Sequence, residues 1–140
     1  MNVVDPTERG VATLMTRDPV VIDADASVAD VAEMLDAYGV SGMPVVDFEG
    51  EVVGVISQTD LVRLRGESLP WSAWHGLRAR DLMTRPAVTI ASGASLAEAA
   101  RSMTARHVHR LVVVDDSAEP VGVISESDLV REIADACDDG

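Results

Sequence analysis

The chain has 140 residues, 47% of them hydrophobic, and its 24 acidic against 11 basic residues leave a formal net charge of −13. That field repels phosphate backbones, and four aromatics (Tyr38, Phe48, Trp71 and Trp74) are too few for a base-stacking platform, so no nucleic-acid partner is expected. No apolar run approaches the roughly 18 residues of a membrane span, the segment Met1–Pro6 lacks the regions of a signal peptide, and the single Cys137 suits a reducing compartment. A soluble, cytoplasmic protein without a membrane role is expected.

The chain repeats itself. Gly54-Val55-Ile56-Ser57-Gln58-Thr59-Asp60-Leu61-Val62-Arg63 returns as Gly122-Val123-Ile124-Ser125-Glu126-Ser127-Asp128-Leu129-Val130-Arg131, 68 residues later. The same offset holds back to Leu14-Met15-Thr16-Arg17 and Leu82-Met83-Thr84-Arg85 without a gap. Two copies are too few for a solenoid and predict two similar halves packed face to face, with a cleft between them for a small ligand.

In chain order, Pro19–Ile22 predicts a short strand bounded by Asp-rich turns. Ser27 opens a helix with Asp30 at the capping-box position, and Val28, Val31, Ala32 and Leu35 form its core-facing stripe. Gly39 stands where a helix end needs a left-handed residue. Met43–Val46 and Val52–Ile56 predict a strand pair across the turn-rich segment 47–51, apolar enough to be covered on both faces. A last helix follows Ser57 and runs to about Leu64. The second copy repeats this plan, with Ser95 and Glu98 as the capping box and Leu96, Ala99, Ala100 and Met103 as the stripe. Its strand pair is Leu111–Val114 and Val121–Ile124. The connecting segment holds both Trp residues, expected to pack over the module's edge or to form a cover or partner surface.

Chemistry concentrates at Gly54–Asp60 and Gly122–Asp128. Ser57 with Asp60, and Ser125 with Asp128, stand at i and i+3 across a helix start, which reads as a structural cap and equally as a ligand site. Helix N-termini offer free N–H groups to phosphate, and Asp accepts from ribose hydroxyls. Gly54 and Gly122 would let the backbone approach a flat base. His107 and His109 have strand-face spacing, but one Cys and a distant His75 leave a metal set incomplete, so no metal is expected. There is no G-x-S-x-G elbow, P-loop or H-E-x-x-H, and an enzyme is not expected.

With L-M-T-x-x-x-V-x-I, a helix, P-V-V-D and G-V-I-S-x-x-D-L-V in order, twice, the chain resembles a tandem pair of cystathionine-β-synthase (CBS) domains, a Bateman module. The resemblance covers Leu14–Arg65 and Leu82–Ile133. It implies an α/β (α+β) fold of two pseudo-symmetric repeats, each β-α-β-β-α, packed sheet to sheet. The division is 8–65 for the first repeat, 66–79 for a linker with two Trp, 80–134 for the second and 135–140 for a tail.

The resemblance further implies a stand-alone regulatory module binding AMP, ADP, ATP or S-adenosylmethionine, with no cofactor required, a homodimer through helical faces, and an unidentified target protein. The alternative is an adaptor that docks on a partner without a small ligand. Carried over by position, Asp60 and Asp128 would hold ribose, while Ser57, Thr59, Ser125 and Ser127 would contact ribose or phosphate. Val21, Ile22, Met43 and Pro44 would line one adenine pocket, and Thr89, Ile90 and Leu111 the other. His109-Arg110 matches a phosphate-contacting pair and reads otherwise as solvated surface. The first copy has Ser41-Gly42 there, and Val112 replaces Pro44, so unequal clefts are expected.

Overall fold

A computed structural model describes residues 8–40, 42–66 and 70–138. The elements in chain order are β1 (Thr16–Arg17), β2 (Ile22–Asp23), α1 (Val28–Tyr38), β3 (Gly42–Val46), β4 (Val52–Ser57), α2 (Gln58–Gly66) and α3 (Ala79–Leu82). There follow β5 (Thr89–Ala91), α4 (Leu96–Arg106), β6 (Arg110–Val114), β7 (Pro120–Ser125) and α5 (Glu126–Asp138). They form two compact units, 20–87 and, in the other, 8–19 with 88–138.

In the unit 20–87, β2 runs parallel to β3, which pairs antiparallel with β4, in the sheet order β2-β3-β4. The first strand is shorter than its apolar run predicts. Only Ile22 and Asp23 find partners, Val45 and Val46, because a strand exists only where a neighbour accepts its ladder. Helix α1 starts as its sequence dictates. Ser27 Oγ accepts from the Asp30 amide at 3.1 Å, and Gly39 ends the helix at φ 62°, a left-handed backbone that costs Gly nothing. Of the predicted stripe, Val31 and Leu35 are buried, Val28 is half-buried and Ala32 is exposed. Those two buried residues join Ile22, Met43, Val45, Ile56 and Ala79 in the unit's core.

The other unit copies this with β5-β6-β7 and adds β1 at the free edge of β7, giving the order β1-β7-β6-β5. Ser95 Oγ accepts from the Glu98 amide at 3.1 Å. His107 ends α4 at φ 55°, a non-glycine in the place of Gly39, so His107 is a helix cap and not part of a strand face. Both hairpins have the same register, with a bulge between Val45 and Val46 in one and between Val113 and Val114 in the other. Strands β3 and β6 are each buried through their three central residues, as strands covered on both faces must be.

The repeats exchange their leading segments. Thr16 pairs with Val123, while Thr84, its counterpart one repeat later, bridges Val55. The Val11 amide donates to Ala94 O at 2.8 Å, and the Ala79 amide to Ala26 O at 2.8 Å. The L-M-T motif ahead of each repeat therefore completes the unit built on the other repeat. Trp71–Gly76 forms a 3-10 turn in which the two indole rings lie 4.8 Å apart. Trp74 is half-buried, whereas Trp71 stays 68% exposed.

Candidate ligand site

The two strand–helix junctions carry the polar chemistry. In the unit 20–87, β4 ends at Ser57 and α2 begins at Gln58, leaving first-turn amides without intrahelical acceptors. Asp60 Oδ2 turns back to accept from the Ser57 amide at 2.8 Å and from Ser57 Oγ at 3.1 Å. Ser57 Oγ in turn faces the Asp60 amide at 3.4 Å. With this reciprocal lock, Asp60 is the one buried charged group among the described residues.

In the other unit, Asp128 Oδ2 accepts from the Ser125 amide at 2.8 Å and from Ser125 Oγ at 3.0 Å. The second carboxylate oxygen of each Asp meets an arginine one turn on, Arg63 at 3.3 Å and Arg131 at 3.4 Å. Sequence reasoning did not assign these arginines. The i, i+3 spacing of D-L-V-R, present in both copies, was the available signal. Thr59 and Ser127, one residue before each Asp, are exposed.

The glycines of these motifs have a different role from the one expected. A Cβ on Gly54 would stand 2.9 Å from the Thr84 carbonyl and closer to the Met83 thioether. One on Gly122 would stand 3.0 Å from the Thr16 carbonyl and closer to that of Met15. Both glycines are bare because the L-M-T segment lies against them inside the same unit. They make room for protein.

The apolar candidates divide by burial. Ile22, Met43 and Leu111 are 6%, 1% and 0% exposed, with side chains in the cores of their own units. They can offer a ligand their backbone alone. Pro44 and Val112 alternate to the opposite sheet faces and are also buried. Val21 is half-buried, Ile90 is half-buried against its unit's core, and Thr89 is exposed. A cavity of about 430 Å³ in the unit 20–87 touches Val21 and Ile22. Its remaining walls are Asp23, Ala26 and the α1 residues Asp30, Glu33, Met34 and Ala37, so it does not reach the Ser57–Asp60 junction.

Around the second junction, His109 is exposed and its Nδ1 lies 2.9 Å from Glu126 Oε2, while Arg110 opens β6. Among the described residues Arg110 has no ion-pair partner. The His109 counterpart, Ser41, lies outside the described residues, and Gly42, that of Arg110, opens β3. Asp47, Glu49 and Glu51 cluster at the β3–β4 turn, where Asp47 Oδ1 accepts from the Glu49 and Glu51 amides. Asp115 does the same for Ser117 and Glu119, which makes the Asp a turn-former in both copies.

The CBS domain family model matches residues 11–67 and 79–135. The chain belongs to the CBS domain family. Its two matches are tandem CBS repeats, one Bateman module. Among solved structures, CBSX2 in complex with AMP shares 30% identity and a TM-score of 0.77, over 91% of this chain and 97% of that one. The CBS pair of the protein MJ0100, in complex with 5′-methylthioadenosine and S-adenosyl-L-methionine, has a TM-score of 0.78 at 22% identity. It covers 89% of this chain and 95% of the other, and at that identity it shows the fold alone. Inosine-5′-monophosphate dehydrogenase of Methanocaldococcus jannaschii is 27% identical over 84% of this CBS pair, which spans 22% of the enzyme's length. Among the described residues of the CBS pair, no helix is long and apolar enough to cross a membrane.

Proposed function

We propose that this CBS pair is a non-catalytic regulatory module that binds an adenosyl ligand and signals through a change in the arrangement of its repeats or of a homodimer. One observation carries the reading: the S-x-x-D junction is built twice with the same hydrogen bonds, in a chain 30% identical to a CBS protein solved with AMP. Asp60 and Asp128 would present their Arg-facing oxygens to ribose. Thr59 and Ser127, exposed on the first turn, would meet ribose or phosphate, and His109 and Arg110 would meet phosphate. Val21 with the backbones of Ile22, Met43 and Pro44 would frame one base, and Thr89 with the backbones of Ile90 and Leu111 the other. A ligand shifts such a module only by preferring one of two arrangements.

The internal locking of both carboxylates also suits an adaptor without a small ligand, because a cap needs nothing further. Thermal unfolding of the chain against AMP, ADP, ATP, S-adenosylmethionine, NAD and GTP separates the two. A ligand specific to the native state stabilises it by about 2.7 kcal/mol at a hundredfold excess over its Kd. A shift with adenosyl ligands, lost in Ser127→Ala and Thr59→Ala, supports the sensor. No shift with any ligand supports the adaptor.

A further inference from the structure

The junctions are alike in every bond between their Ser and Asp, and unlike at the residue that opens the helix. Gln58 opens α2, and its Nε2 donates to Val40 O at 3.4 Å. Glu126 opens α5 and is tied to His109 twice. Its carboxylate lies 2.9 Å from His109 Nδ1, and its amide donates to His109 O at 2.9 Å. This side-chain pair is open to solvent at 82% and 54% exposure, so it is neither a core contact nor a buried network.

The local polar side chains can be followed one by one. Arg131 is engaged by Asp128 and His109 by Glu126. Of these three side chains, Arg110 is the one with no acceptor among the described residues. The Glu126 amide is used by His109 O, and the Asp128 amide faces Ser125 Oγ at 3.3 Å, leaving the amide of the exposed residue Ser127 for an outside acceptor. With His109 shared between Glu126 and the ligand, one unpaired cation and one amide match a single phosphate. Each additional phosphate brings charge toward the Glu126 carboxylate, in a chain already at −13, and like charges at short range repel.

We infer that Glu126 is a specificity residue: it makes the second repeat select adenosyl ligands whose 5′ group is a monophosphate or a cation, and disfavour polyphosphates. Discrimination by a repulsive group beside an attractive one is a common route to specificity. The inference rests on the adenosyl reading of the same site. The first repeat supplies its own control, because Gln58 shows that the fold accepts an uncharged amide at this position.

Isothermal calorimetry of the full chain and of Glu126→Gln, with adenosine, AMP, ATP and S-adenosylmethionine, tests it. The wild-type chain is expected to bind AMP more tightly than ATP. In Glu126→Gln the ATP-to-AMP affinity ratio should rise on the order of tenfold, with adenosine affinity and thermal midpoint unchanged. An unchanged ratio in a chain that still binds adenosyl ligands overturns the role of Glu126 and leaves the site reading standing. Absence of binding by every ligand to both proteins overturns the site reading and this inference with it.

Discussion

The Ser57–Asp60 and Ser125–Asp128 junctions have the same bonds to within 0.1 Å, yet they stand in different surroundings. The first lock is drier, with the Asp60 side chain 4% exposed against 16% for Asp128. The second lies beside a His–Glu pair and Arg110, where the first has Gln58 and Gly42. Duplication thus preserved the part that holds helix to strand, and the differences gathered in the flanking side chains that reach solvent. A residue shared by both copies is explained first by folding. A residue that differs between them is where the copies can differ in ligand.

Four experiments can break or sharpen this comparison. The largest effect is expected in the cores, where Ile56→Ala and Ile124→Ala each remove a side chain with 0% exposure. Each should cost about 2–5 kcal/mol in denaturant unfolding, and a wide gap between them would show that the two units are not energetically equivalent. Gly54→Ala and Gly122→Ala come next, at about 1–3 kcal/mol each, because overpacking against Met83 and Met15 forces strain. If either substitution proved neutral, the close approach of the L-M-T segment would be wrong.

Asp60→Ala and Asp128→Ala each remove a helix-start lock, worth about 1–2 kcal/mol. The stability loss should be larger for the drier Asp60 and the loss of nucleotide binding larger for Asp128, which has His109 and Arg110 nearby. Equal losses of binding by calorimetry would count against unequal sites. Smallest in stability is Arg110→Ala, at the solvent end of β6. It should weaken AMP about tenfold and leave adenosine unchanged, since the loss is one charge-assisted contact to phosphate. A matching loss for adenosine would remove phosphate contact as its role.

Much of the architecture was legible in the residues themselves. The helix starts at Ser27 and Ser95, the turn at Gly39, the hairpins and the junction helices all depend on neighbours within a few positions, and a local pattern reports those. The duplication then doubled each signal. The candidate junction was legible for the same reason, since Ser and Asp at i and i+3 meet whenever a helix begins there.

The remaining features depended on partners distant in the chain. No periodicity announces that Thr16 pairs with Val123, or that Thr84 joins Val55 and not the repeat it introduces. The role of Gly54 and Gly122 follows from that exchange, so it stayed hidden with it. The inward aim of Met43 and Leu111 required knowing which sheet face meets the core. The contact of His109 with Glu126 spans 17 residues across a hairpin. Sequence alone determined what each segment becomes, because backbone hydrogen bonding and apolar period are local. Tertiary structure decided which segments complete one another and which polar groups remain for a ligand, because those choices are made by packing between parts of the chain that no short-range pattern connects.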